Sequence, residues 1–139
     1  GDASAEEDYV LGAFGWAATK KLPILFIVED NNLSILTKKK VRRSWDVHNV
    51  AKAFGMQAHN ISDDPIEILK YGEMFFKKTM LLNINTHRLY WHAGAGIDWE
   101  DEFDRYKFEM ESLGDIAEDI HFRTSLEVKK AWKRQLEKQ

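Results

Sequence analysis

The chain has 139 residues, 44% of them hydrophobic and 31% charged, with 23 acidic side chains against 20 basic ones. That length suits one domain with a real core, and the composition is that of a globular chain, not a disordered one. A net charge of −3 argues against general nucleic-acid binding, the lack of cysteine excludes disulfides and thiolate metal sites, and no apolar run approaches the roughly 18 residues of a membrane-crossing helix.

The sequence opens on Gly1-Asp2, without an initiator methionine and inside what looks like a motif, so we read it as a piece of a longer polypeptide. Gly1 to Ala5 is small and flexible. From Glu6 to Lys20, Tyr9, Val10, Ala13, Phe14, Ala17 and Ala18 recur at helical spacing. Glu6, Glu7 and Asp8 suit the positive amino end of that helix, Lys20 and Lys21 its carboxyl end, and Pro23 stops it. The stretch Leu22 to Leu33 then organises the rest. Its run Ile24-Leu25-Phe26-Ile27-Val28 is continuous and rich in β-branched and aromatic residues, as in a parallel strand covered on both faces. Glu29-Asp30-Asn31-Asn32 follows at the carboxyl end, where open α/β sheets bind ligands. The plainer reading of those four residues is a polar turn that ends the strand.

Ser34 to Trp45 carries Lys38-Lys39-Lys40 and Arg42-Arg43. Such a run resembles a nuclear signal or an anion patch, but a solvated loop is the preferred reading because the rest of the chain is acidic. Asp46 to Phe54 reads as a short helix ended by Gly55, and Met56 to Ile61 as a strand. Ser62-Asp63-Asp64-Pro65 starts a helix whose buried side is expected at Ile66, Leu69, Met74 and Phe75. Met80 to Asn85 is a further strand. Strands alternating with helices predict an α/β fold, a doubly wound parallel sheet with helices on both faces. His87 to Asp101 is a long loop of the kind that often carries function. Two charged helices follow, separated near Gly114-Asp115. The expected organisation is a binding domain over 1–100 and a helical extension over 101–139.

Asp2 and Asn31 are the chemical candidates. A helix and a strand separate them, so a parallel sheet brings both to the same edge. A carboxylate, an amide oxygen and nearby carbonyls suit a hard cation such as Mg²⁺, which keeps substrate phosphates in its shell. The small residues Ala3, Ser4 and Ala5 let phosphate approach the backbone before a helix start.

The segments Gly1-Asp2-Ala3-Ser4-Ala5-Glu6-Glu7, Lys21-Leu22-Pro23 and Glu29-Asp30-Asn31-Asn32-Leu33-Ser34-Ile35 resemble the thiamine-diphosphate motif, which opens with GDG and closes with NN. The best match is the alpha subunit of the 2-oxoacid dehydrogenases of the pyruvate, branched-chain and acetoin type. There the segment reads roughly GDGAAEEG, KLPVIFV and ENNGYAIST. The likeness covers about the first 92 residues and fades afterwards. It implies the flavodoxin-like thiamine-diphosphate-binding fold, a fragment of a larger subunit. It implies thiamine diphosphate and Mg²⁺ as cofactors, with Asp2 and Asn31 as side-chain ligands, the Leu33 carbonyl as a third, and the Ala3 and Ser4 N–H groups on the diphosphate. A family loop of the form YRxxHHS falls on His87-Arg88-Leu89-Tyr90-Trp91-His92-Ala93, so His92 takes the place of the histidine that faces the thiazolium.

The activity implied is oxidative decarboxylation of a 2-oxo acid with acyl transfer to lipoamide. The implied partners are a beta-type subunit that supplies the pyrimidine-binding half in a heterotetramer, and a lipoyl acyltransferase. No nucleic acid or membrane is expected. The location implied is the cytoplasm, or the mitochondrial matrix in a eukaryote. The alternatives are another thiamine-diphosphate enzyme, transketolase-like or a lyase, and a non-catalytic flavodoxin-like binding domain.

Departures from the family pattern are also legible. Ala3 stands where glycine is usual, which is harmless only at negative φ. Asp30 replaces the first Asn, and Ala93 replaces a serine phosphorylated in some relatives. Gly94-Ala95-Gly96-Ile97-Asp98 does not match the usual loop. Plainer roles exist throughout: His92 as an exposed loop residue, Trp91 and Trp99 as packing, and Glu6 and Glu7 as helix-start charges. His48, His59, His87 and His121 read as structural or solvent-facing.

Overall fold

In a computed structural model of the protein, residues 1–74, 77–90, 92 and 103–138 are described. The expectations for Phe75, Trp91, Ala93 to Asp98 and Trp99 lie outside these residues. Two compact units are present, Gly1–Glu102 and Phe103–Gln139.

The first unit is mixed α/β. A 3₁₀ turn at Ser4–Glu6 leads into helix α1 (Asp8–Lys20). The helix ends as its sequence dictates: Lys21 takes φ 52°, and the Lys21 and Leu22 N–H groups return to carbonyls of the last turn. Strand β1 (Leu25–Asp30) follows, then an antiparallel hairpin of β2 (Leu33–Ser34) and β3 (Thr37–Lys38), and the one-turn helix α2 (Lys39–Arg42). Helix α3 (Val47–Ala53) precedes β4 (Gln57–Ser62), with Gly55 at φ 87° making the turn between them. Helix α4 (Pro65–Leu69) starts with Pro65 in its first turn, and its cap Asp64 accepts the Ile66 N–H at 2.8 Å. Strand β5 (Met80–Asn85) completes the sheet.

The three long strands are parallel in the order β1-β5-β4, and Val28, Asn83 and Asn60 lie abreast. This order corrects the prominence given to Leu22–Leu33. The central strand is β5, whose first five residues are all buried. β1 is an edge strand in this sheet; it buries Val28 and Asp30 while Ile27 is 57% exposed. A continuous apolar run therefore did not mean a strand covered on both faces.

One cluster packs Phe14, Val28, Val47, Ala51, Ala58 and Leu81 on one side of the sheet, with Phe14 and Phe26 edge-to-face at 4.8 Å. The other joins Ile61, Met80, Leu82 and Ile84, with Ile68, Tyr71 and Met74 packed against it. α4 thus turns Ile68 inward, whereas Ile66 and Leu69, expected inside, are 66% and 68% exposed.

The second unit consists of α5 (Arg105–Leu113) and α6 (Asp115–Leu136), joined at Gly114 with φ 52°. Ala117 is its single buried hydrophobic residue among those described. No helix among the described residues is long and apolar enough to cross a membrane.

Candidate functional site

A cleft of about 310 Å³ opens where three distant stretches meet: Gly1 to Ser4, Asn31 to Ile35, and the segment with Arg88 and His92. Asp2, Ala3, Ser4, Asn31, Leu33 and His92 all line it. These are the six residues singled out from sequence, and the fold brings every one of them to the same place. The placement follows from topology. β1 delivers Asn31 and Leu33 just past its carboxyl end, and the turn before α1 delivers Asp2 to Ser4.

The loop after β1 is shaped by its own amides and acids. The Asp30 carboxylate accepts the Asn32 N–H at 2.9 Å, and the Asn31 side-chain oxygen accepts the Leu33 N–H at 3.0 Å. Asn32 adopts φ 64°, a conformation asparagine tolerates better than most residues. Ile35 takes φ 54°, costly for a β-branched side chain, and its carbonyl accepts from Arg88 at 2.7 Å. Ala3 has φ −69°, so its methyl group in place of glycine introduces no backbone strain. The N–H groups of Ala5, Glu6 and Glu7 close the turn on the carbonyls of Gly1, Ala3 and Ser4.

Asp2 is 1% exposed, and its carboxylate accepts from the Arg42 guanidinium. Arg42 also donates to Glu6 at 2.6 Å. Arg43 places Nε 3.4 Å from the same Glu6 carboxylate and lies over the Trp45 ring at 4.6 Å. Lys39 pairs with Asp30 at 2.5 Å. The basic run is therefore not a solvated loop. Lys39 and Arg42 turn back onto the buried acids Asp30 and Asp2, and Arg42 and Arg43 onto the half-buried Glu6, because an unpaired buried carboxylate is more costly than an ordered cation.

Asp30 continues into a second polar chain. Asn83, buried in the central strand, donates to Asp30 at 3.2 Å and to Asn60 at 2.7 Å; Asn85 donates to Asn60 at 3.2 Å. Burial raises the Asp30 pKa, but Lys39, the Asn32 N–H and Asn83 together outweigh it and hold the carboxyl below its ordinary value. Burial likewise pushes the imidazoles of His48 and His59 down, His59 lying 4.6 Å from the Tyr71 ring.

Sequence reasoning missed Arg42, Lys39 and Asn83. The signal for Asn83 was an amide inside the apolar run MLLNIN. The signal for the cations was the presence of acids at 2, 6 and 30 with no basic neighbour in sequence.

Among the described residues no three His, Asp or Glu side chains converge as a metal-holding group. The residues lining the cleft carry one carboxylate (Asp2), one amide (Asn31), two hydroxyls (Ser4 and Ser34) and their main-chain carbonyls. The Asn31 amide oxygen uses one lone pair on Leu33 and keeps a second. This donor set suits Mg²⁺, which binds through one or two protein groups and completes its shell with water or phosphate. Comparison with models of known families and with curated proteins finds no match for this chain.

Proposed function

We propose that the cleft is the diphosphate-and-metal half of a thiamine-diphosphate site, in an alpha-type component of a 2-oxoacid dehydrogenase with the flavodoxin-like fold of that family. The observation that supports this reading is the convergence of Asp2, Ala3, Ser4, Asn31, Leu33 and His92 on one cleft from three separate stretches of chain. Two details agree with it. Ala3 has the negative φ at which alanine replaces the family's glycine without strain, and Asn32, which falls on the glycine of ENNGYAIST, has the positive φ that a glycine would take freely.

On this reading Asp2, the Asn31 amide oxygen and the Leu33 carbonyl hold Mg²⁺, and the Ala3 and Ser4 N–H groups meet the diphosphate. Thiamine diphosphate, when bound, supplies the electron sink for decarboxylating a 2-oxo acid. His92 contributes a proton donor or acceptor at the rim, where the keto oxygen gains and loses charge. A cleft of about 310 Å³ encloses only part of so large a cofactor. A beta-type partner supplying the pyrimidine pocket is therefore part of the proposal.

The test is calorimetry of thiamine-diphosphate binding to the full-length chain co-expressed with its partner. Binding should require Mg²⁺ and weaken about 10- to 100-fold in Asn31→Ala, the scale of losing a charge-assisted ligand bond. An Asn31→Ala protein that binds as tightly as its parent sinks the assignment.

A further inference from the structure

We infer that Arg42 sets the charge of the proposed metal site, so that the cleft takes Mg²⁺ together with an anionic diphosphate in preference to bare Mg²⁺. The inference rests on the cofactor reading above. Its basis is an ionic quartet beside the cleft. Asp2 and Glu6 are each bonded to the Arg42 guanidinium, and Arg43 stands against Glu6. Two carboxylates and two guanidinium groups sum to zero. The neighbouring pair, Asp30 with Lys39, is neutral by itself.

Three members of the quartet are shielded from water, and Glu6 is 21% exposed. The side chains of Asp2 and Arg43 are each 2% exposed, and that of Arg42 is 13% exposed. Among the described residues the Arg43 Nη1 and Nη2 atoms are buried with no hydrogen-bond acceptor, and Glu6 is the anion paired with that charge. Asp2 meets Arg42 and the cleft at once. A dication arriving alone would bind a carboxylate whose charge Arg42 has already cancelled, and would face the guanidinium across that group. A dication carrying a diphosphate has a combined charge of about −1, and the same guanidinium then attracts it. Arg42 is thus a positioning residue that acts through Asp2. It holds the buried carboxylate in place, and it makes metal and diphosphate binding interdependent.

The experiment measures Mg²⁺ affinity alone and with saturating thiamine diphosphate, by calorimetry on the full-length chain with its partner subunit. Arg42→Gln should bind bare Mg²⁺ about tenfold tighter and lose about tenfold of the coupling between metal and cofactor. Glu6→Gln should do the reverse, because it leaves the Arg42 charge unshared, and it serves equally if the Arg42 variant fails to fold. Arg42→Lys, which keeps the charge, should hold the coupling within about threefold of the parent. Parent protein with no Mg²⁺-dependent cofactor binding overturns the cofactor reading and this inference with it. Parent protein that binds both, with bare-metal affinity unmoved in Arg42→Gln and Glu6→Gln, overturns the inference alone.

Discussion

Asp2 and Asp30 are both buried carboxylates near the carboxyl end of β1, 1% and 3% exposed, and each is matched to a cation from the same basic run. They differ in what else they touch. Asp30 is enclosed by Lys39, the Asn32 N–H and Asn83, and through Asn83 it ties β1 across the sheet to Asn60 on β4. Asp2 has Arg42 on its carboxylate and the cleft beside it. A carboxylate whose acceptor capacity is consumed by protein donors is part of the scaffold. One that lines a cleft, as Asp2 does, is the candidate for the proposed metal site. Strand-end position alone does not separate the two; the partner set does.

The largest effect that tests this contrast is Asp30→Ala. It strands Lys39 and Asn83 beside a cavity, and the expected loss is about 3 kcal/mol, the lower end for breaking a buried pair because Lys39 can reach water. Asp2→Ala should cost less in stability, since Arg42 keeps Glu6, yet abolish Mg²⁺-dependent cofactor binding. Denaturant melts and calorimetry on both variants check the crossed pattern. Equal stability losses in the two would erase the distinction.

An intermediate effect concerns pH. The folded pKa values of His48 and His59 lie below their unfolded values because burial disfavours the charged ring. The unfolded chain therefore binds more protons below about pH 6.5, and stability falls as pH drops through that point toward the folded values. Asp30 adds a separate loss at lower pH. Its carboxyl is held down in the fold, so its contribution is complete above about pH 3.9 and disappears as pH falls through the folded pKa. Urea melts across this range should show a shallower acid slope in His48→Gln/His59→Gln near pH 6, and in Asp30→Asn only below pH 4. A single common slope would contradict the separation.

The smallest effect is a gain. Ile35 is 51% exposed at φ 54°, so Ile35→Gly should relieve about 1 kcal/mol of backbone strain and raise the thermal midpoint. If the midpoint falls, the side chain contributes more at the rim than its conformation costs.

Local chemistry made much of the molecule readable in advance. The helix start at Asp64-Pro65, the stops at Lys21 and Gly55, the break at Gly114 and the strand Met80–Asn85 all follow from capping, fixed dihedrals and runs of apolar side chains, which act within a few residues. The candidate residues had another source: Asp2 and Asn31 came from their strand-end positions, Leu33 and His92 from the family resemblance, and the fold gathers them at one cleft. What the tertiary structure alone decided is which strand lies in the middle, which face of α4 turns inward, and where the cations of Lys38 to Arg43 go. Ile27 and Leu82 are similar side chains, but one lies on an outer strand and the other between two neighbours. Likewise Arg42 and Asp2 are joined by an ion pair that no local rule specifies. It forms because the fold buries Asp2, and a charge withdrawn from water is matched by a counter-charge that the fold brings beside it.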